Sequence, residues 1–268
     1  MQFNSEKIAN DFLELASEQR LRIISNLSEK RLNLSKLAEI LDATKPEVHR
    51  NVNRLTKAGL IEKEPEGNYV LTTYGKSILL QIPSLLFVSE NKEYFKTHTL
   101  GNLETKFIQR LGALQDKKQI KGYVKVLEKW KKIHENAEKY IYNILSEVPY
   151  SSDIIDVVLS KLEKNVKIRS IFSENAAIPE DRKTLFMKKG FQKYVTEGHL
   201  ERKIKKDIGI VNLVTDKEAA VFFSNLQGEP DLSIMFTSTN SEFHDWCLDY
   251  FEECWSNSSS FQESKLVK

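Results

Sequence analysis

Glycine and proline are scarce in this chain, ten and six among 268 residues, and no internal repeat is present. That leaves little room for low-complexity linkers or repeat arrays. Cysteine is scarcer: Cys247 and Cys254 stand alone near the end of the chain. Two thiols seven residues apart make no disulfide framework and fit a reducing compartment. Long apolar runs are missing too. The best stretch, from Ile78 to Val88, is interrupted by Gln81, Pro83 and Ser84 and is too short to span a bilayer. The opening "MQFNSEKIANDF" has neither the basic region nor the apolar core of a signal peptide, so a cytoplasmic location with no membrane partner is expected.

Phosphate-binding signatures are equally thin. Gly75-Lys76-Ser77 has the tail of a P-loop, but the second glycine such a loop needs is replaced by β-branched Val70. No Gly-x-Gly-x-x-Gly occurs, so dinucleotide binding has no support and no cofactor is expected.

What is present describes an ordinary globular protein, 40% apolar and 29% charged, long enough for two domains. A net charge of +2 does not announce a nucleic-acid partner, but its distribution is uneven. Between Thr44 and Lys57 the cations Lys45, Arg50, Arg54 and Lys57 face one carboxylate, Glu47, a local balance of +3. A second basic run extends from Lys117 to Lys132, suited to phosphate contacts or to a solvated helix face, and Glu242 to Glu253 is acidic.

The first eighty residues give this basic segment a context. Phe12, Leu13, Leu15 and Ala16, then Leu21, Ile24 and Leu27, recur at helical spacing. In "LSKLAEILDA", Ser35 is expected as N-cap, with Leu37, Ala38 and Leu41 on one stripe. The next helix opens with Thr44, Pro46 and Glu47, a capping-box pattern with proline in the first turn, and Gly59 ends it. Val48, Val52 and Leu55 share its inner face, while Pro46, His49, Arg50, Asn53, Arg54 and Lys57 occupy the other. Two short helices joined by a tight turn, the second displaying Arg and Asn, predict a helix-turn-helix. Arginine can hold guanine O6 and N7 together, asparagine can do the same for adenine, and lysines suit phosphates. "LIEKEPEGNYVLT" then predicts two strands around a turn at Glu66-Gly67, and Thr72 is placed to cap the helix "TYGKSILL". In this setting Tyr69, Leu71, Thr72 and Gly75 close a β-wing, and Lys76 and Ser77 are the next helical turn.

Residues 6–80, through these elements, resemble a winged-helix DNA-binding domain of the arsenical-resistance-repressor type. That resemblance implies double-stranded DNA as partner and a homodimer, with the helix from Thr73 and the apolar stretch after it as dimer surfaces. The expected DNA-binding residues are Lys45, Pro46, His49, Arg50, Asn53, Arg54 and Lys57 on the second helix, with Lys63, Asn68 and Tyr69 on the wing. Neither cysteine lies in this domain, so thiolate metal sensing is not expected.

Beyond it, Phe95, Leu100, Leu103, Phe107 and Leu111 suggest short helices. "YVKVLEKWKKIHENAEKYIYNIL" predicts a strand and a long helix, and Ile154 to Leu162 predicts another helix. "VKIRSIFS" predicts a buried strand, and a helix is expected near Pro179 to Phe186. "LERKIKKD", "IGIVNLVTD", "AAVFFSN" and "LSIMFTST" are strand-like, and "SEFHDWCLDYFEECW" is helical with an aromatic face. Strands interleaved with helices predict an α/β domain with a mixed sheet. The expected division is residues 1–88 for the winged helix, 89–119 for a helical connector, and 120–268 for the α/β domain. The stretches "YFKTHTLGNLETKFIQRLGAL", "VKIRSIFSE", "DIGIVNLVTDKEAAVFF" and "FHDWCLDYFEECW" resemble the sensor domain of archaeal winged-helix regulators related to methanogenesis regulators. That domain is itself similar to the phospholipase-D-like effector domain of TrmB-type sugar regulators. The resemblance implies a small-molecule or protein effector that alters DNA affinity.

Two catalytic or metal readings are weaker. Phospholipase-D-like hydrolases use a His-x-Lys unit, and none of His49, His98, His134, His199 and His244 has lysine two residues later. His134 with Glu138, and His244 with Cys247, have spacings that could meet on a helix, but a solvated face and core packing respectively are the expected uses, and no metal site is expected. The sequence therefore points to a non-enzymatic DNA-binding transcriptional regulator. The alternatives are a winged-helix interaction module that does not touch DNA, and a hydrolase.

Overall fold

The computed structural model describes residues 5–146, 152–176 and 188–261. The chain forms two compact units, Met1–Pro83 and Ser84–Lys268. The boundary falls five residues earlier than expected, after Pro83, in the first turn of a helix, where proline is tolerated because its missing N–H has no intrahelical partner there.

The first unit runs α1 (Ser5–Leu15), α2 (Glu18–Glu29), β1 (Leu32–Asn33), α3 (Leu34–Leu41), α4 (Lys45–Lys57), β2 (Ile61–Lys63), β3 (Asn68–Leu71) and α5 (Thr73–Leu79). The strands form an antiparallel sheet in the order β1-β3-β2. Ile23 and Ile24 of α2, Leu37 of α3, and Val48, Val52 and Leu55 of α4 are completely buried together. The apolar stripes of three helices thus converge on one core, as their spacing required.

Two caps differ from expectation. Asn33, rather than Ser35, caps α3, its side chain accepting from the Lys36 N–H at 3.0 Å. Thr44 makes no side-chain cap bond to α4, and Glu47, the other half of the expected box, accepts instead from Gln19 of α2. Thr72 does cap α5, accepting from the Gly75 N–H at 2.9 Å. Gly75 is required for a steric reason, because a Cβ there would stand 1.9 Å from the Leu60 carbonyl oxygen. The Gly-Lys-Ser tripeptide is therefore a helix turn packed on the wing.

The second unit contains α6 (Ile82–Glu90, entering across the boundary), β4 (His98–Thr99), α7 (Thr105–Ile108), β5 (Lys118–Lys121), α8 (Tyr123–Asn136), β6 (Tyr140–Leu145), α9 (Ser152–Glu163) and β7 (Lys167–Ser173). It continues with α10 (Phe191–Thr196), β8 (Leu200–Lys205), β9 (Ile210–Thr215), β10 (Ala219–Asn225), β11 (Ile234–Ser238), α11 (Ser241–Ser256) and β12 (Ser259–Ser260). The strands form one mixed sheet in the order β12-β8-β7-β6-β9-β10-β11-β5, with β4 also on β10. β6, β7 and β8 are mutually parallel and the remaining pairings are antiparallel. β9 and nearly all of β10 are buried on both faces, so both read as continuous apolar runs. One face carries α8, with Trp130 tilted against Phe222 at 5.5 Å; on the other, Asn212 of β9 donates to the Cys247 carbonyl of α11 at 2.7 Å.

The expected connector over 89–119 is instead part of this unit. Tyr94, Leu103, Phe107, Leu111 and Leu114 are buried with Phe87, and the Trp246 indole donates to the Phe107 carbonyl at 3.1 Å. Apolar residues at that density need a core, and the sheet supplies it. The expected strand at Tyr123 belongs to α8. The strand lies earlier, and Gly122, at φ 101°, turns the chain between the two. The helix expected near Pro179 to Phe186 lies outside the described residues. Among the described residues no helix is long and apolar enough to cross a membrane.

Candidate nucleic-acid interface

α4 presents the sequence-derived set on one surface. Lys45, Pro46, His49, Arg50, Asn53, Arg54 and Lys57 are all exposed, opposite the buried Val48, Val52 and Leu55. Their backbone is held firmly. Arg20 of α2, itself buried, donates from Nε to the Glu14 carbonyl at 2.7 Å and from a terminal nitrogen to the Leu13 carbonyl at 2.9 Å. It thereby satisfies the open carbonyls at the end of α1 and seats that helix beside α4. Asn51 of α4 donates to Gln19 of α2 at 2.6 Å.

The members of the set are not equally available. Arg54 is engaged twice by Glu14 of α1, at 2.9 Å from Nε and 2.7 Å from the terminal nitrogen. The arginine hydrogen bond holds the Glu14 carboxyl below its ordinary value, and Glu14 in turn raises Arg54. Asn53 lies 3.3 Å from the His49 ring, a local contact between neighbouring turns. Arg50 is exposed between them, with no ion pair among the described residues.

The wing departs further from expectation. Tyr69 is only 6% exposed and belongs to the core, opposite Leu32 of β1. Lys63, its neighbour across the hairpin, lies over the Tyr69 ring at 5.9 Å. Asn68 is half-buried opposite Asn33. The exposed positions around them carry Glu62 and Glu66, while Glu64 pairs with Arg31 at 2.9 Å. The exposed surface of the wing thus carries Glu62 and Glu66 beside Lys63, while Tyr69, expected there, lies in the core.

The other motifs also settle. From the second basic run, Lys129 pairs with Glu218 at 2.7 Å, Lys131 with Asp153 at 3.4 Å, and Lys117 lies over Phe87 at 4.9 Å with its pKa lowered by burial. His134 is buried and bonded to the Trp130 carbonyl at 3.0 Å, whereas Glu138 lies past the end of α8 and pairs with Lys217. The helical spacing that could have joined them is therefore not realised. His244 contacts the Tyr140 hydroxyl at 2.9 Å, and Cys247 is buried, which raises its thiol pKa well above the ordinary value. Nothing in the sequence could have flagged the Glu14–Arg54 pair, which is set by the crossing of two helices.

The first unit is a winged helix-turn-helix and the second an α/β domain with a mixed sheet, as the strand order and register define them. Residues 10–92 match the family described as the HVO_A0261 N-terminal domain. No curated protein matches the chain. Among solved structures the chain is similar to TrmBL2, described as an archaeal chromatin protein with a novel mode of DNA binding. The identity is 16%, the TM-score 0.41, and the match covers 91% of this chain and 94% of that one. The winged helix-turn-helix domain of Mb0332 from Mycobacterium bovis, described as homodimeric and as a possible ArsR-family regulator, is 20% identical with a TM-score of 0.29, over 34% of this chain and 92% of that one. Nuc from Salmonella typhimurium, a phospholipase D family member, is 9% identical with a TM-score of 0.40, over 55% of this chain and all of that one.

Proposed function

We propose that the protein is a DNA-binding transcriptional regulator, not an enzyme, whose α4 enters the major groove. The observation that carries this reading is the set of exposed basic and amide side chains on the second helix of a helix-turn-helix, backed by a fully buried inner face. Arg50 is the leading base or phosphate contact, Asn53 and His49 lie beside it, and Lys45 and Lys57 bracket the helix for phosphates. Arg54 joins them once it leaves Glu14. The wing plays a small part, through Lys63 and Asn68 alone.

A single helix of this length covers few base pairs, so the working form is a homodimer on paired half-sites. Exposed apolar side chains at Tyr74 and Leu80 supply the material for a dimer surface on and just after α5. The second unit is the effector domain, and the protein acts in the cytoplasm. Enrichment of genomic fragments by the purified protein, followed by hydroxyl-radical footprinting, tests this reading. Two protected half-sites about one helical turn apart support it. Absence of any enriched fragment removes it.

A further inference from the structure

The sheet face beneath α8 and α9 carries a polar row inside an apolar frame. The parallel register sets Asn143 of β6 opposite Ser170 of β7, and Ser170 opposite Arg202 of β8. The row before it is Ile141, Ile168 and Leu200, and the row after it is Leu145, Phe172 and Ile204. Alternation along the strands places all three rows on one face. Polar groups in the middle of such a surface are unfavourable unless hydrogen-bonded. Asn143 is 5% exposed, and its Oδ1 accepts no hydrogen bond from any described residue.

Over that row lies a cavity of about 80 Å³, covered by Trp130 and His134 of α8, Ile154, Ile155 and Val158 of α9, and Phe191 of α10. His134 places Nδ1 3.0 Å from the Trp130 carbonyl, so that nitrogen donates and Nε2 is left as an acceptor. Arg202 lines the cavity with its guanidinium 4.4 Å over the Phe261 ring, and its five donors allow it to serve more than one partner. The lining is therefore apolar, with acceptors at one place and a cation at another.

We propose that this cavity is a ligand site for a small carboxylic acid with a compact apolar body and a hydroxyl or ammonium donor on the neighbouring carbon. The donor meets Asn143 Oδ1, the carboxylate meets Arg202, and the apolar body packs under Trp130 and α9. At roughly 10–15 Å³ per water-sized position, the space of about 80 Å³ holds about five to eight non-hydrogen atoms, and a short branched 2-hydroxy or 2-amino acid fills the upper end of that range. As an effector site the cavity rests on the regulator reading above. As a binding site it stands independently.

The test is calorimetric titration of the full chain without DNA, using 2-hydroxyisovalerate and L-valine as probes. Isovalerate lacks the donor and valinamide lacks the carboxylate. Saturable binding of at least one probe is expected, with its truncated analogue weaker by about tenfold or more. Asn143→Leu removes the preference for the donor, and Arg202→Met removes the preference for the acid over the amide. Val158→Trp, which fills the cavity with apolar volume, abolishes binding while the protein still melts cooperatively. No saturable binding of either probe at millimolar concentration overturns the site, as does binding that Val158→Trp and Arg202→Met leave unchanged. A protein that binds a probe but no DNA keeps the site and loses the regulator reading; one that binds DNA but neither probe does the reverse.

Discussion

Arg54 lies on the exposed basic face of α4 yet gives two hydrogen bonds to Glu14, a carboxylate forty residues earlier in the chain. On DNA, a phosphate must compete with that carboxylate for the same fork of donors. Glu14→Gln is therefore expected to tighten binding to duplex DNA severalfold at low salt and to steepen the salt slope by about one. Anisotropy titrations at several salt concentrations check this, and an unchanged slope contradicts it. Because the Glu14 carboxyl is held below 4.5, the pair stabilises the first unit above that pH, and its contribution is lost as pH falls through the lowered value. His134 shifts in the same direction for a different reason. Burial brings it from 6.5 down to about 4, so the unfolded chain binds a proton over that window while the native state does not. Stability of the second unit should fall on acidification from 6.5 to about 4, by up to about 3 kcal/mol. Urea unfolding across this range should show the loss in wild type and a smaller one in His134→Leu.

At the scale of elements, the α5 entry makes the sharpest prediction. Gly75→Ala would drive a methyl into the Leu60 carbonyl, which belongs to the chain entering the wing. A loss of about 1–3 kcal/mol is expected from such overpacking, read as a lower denaturation midpoint. The helices and strands themselves were largely legible in the sequence. The inner face of α4 follows from Val48, Val52 and Leu55, and the hidden face of α11 from Phe243, Trp246, Tyr250 and Phe251, because helical periodicity is a local signal. Tyr69 was not legible. In a four-residue strand the alternation is too short to say which side faces the core, and the pairing with β1 decides it. The capping box at Thr44 failed for a similar reason, since Glu47 was taken by Gln19 from another helix. The row Asn143–Ser170–Arg202 arises only when three parallel strands are set in register, which no local pattern encodes.

The whole molecule joins two units, each with its own buried cluster. Separate cores predict two calorimetric transitions rather than one, and a ligand of the α/β unit should raise the transition of that unit. The homodimer belongs to this scale as well. Light scattering after size exclusion should give twice the 31.0 kDa chain mass at micromolar concentration, and Leu80→Glu should reduce it towards the monomer.

The central claim is that α4 contacts DNA through its basic face, with Arg50 as the leading side chain. Fluorescence anisotropy on a footprinted fragment, across roughly 50 to 200 mM salt, tests it most directly when wild type is compared with Arg50→Ala. Steeply salt-dependent binding by the wild type, with weaker binding and a shallower slope in the variant, is the predicted result. Equal affinity and equal slope for both proteins would contradict it and place the DNA contacts on another surface.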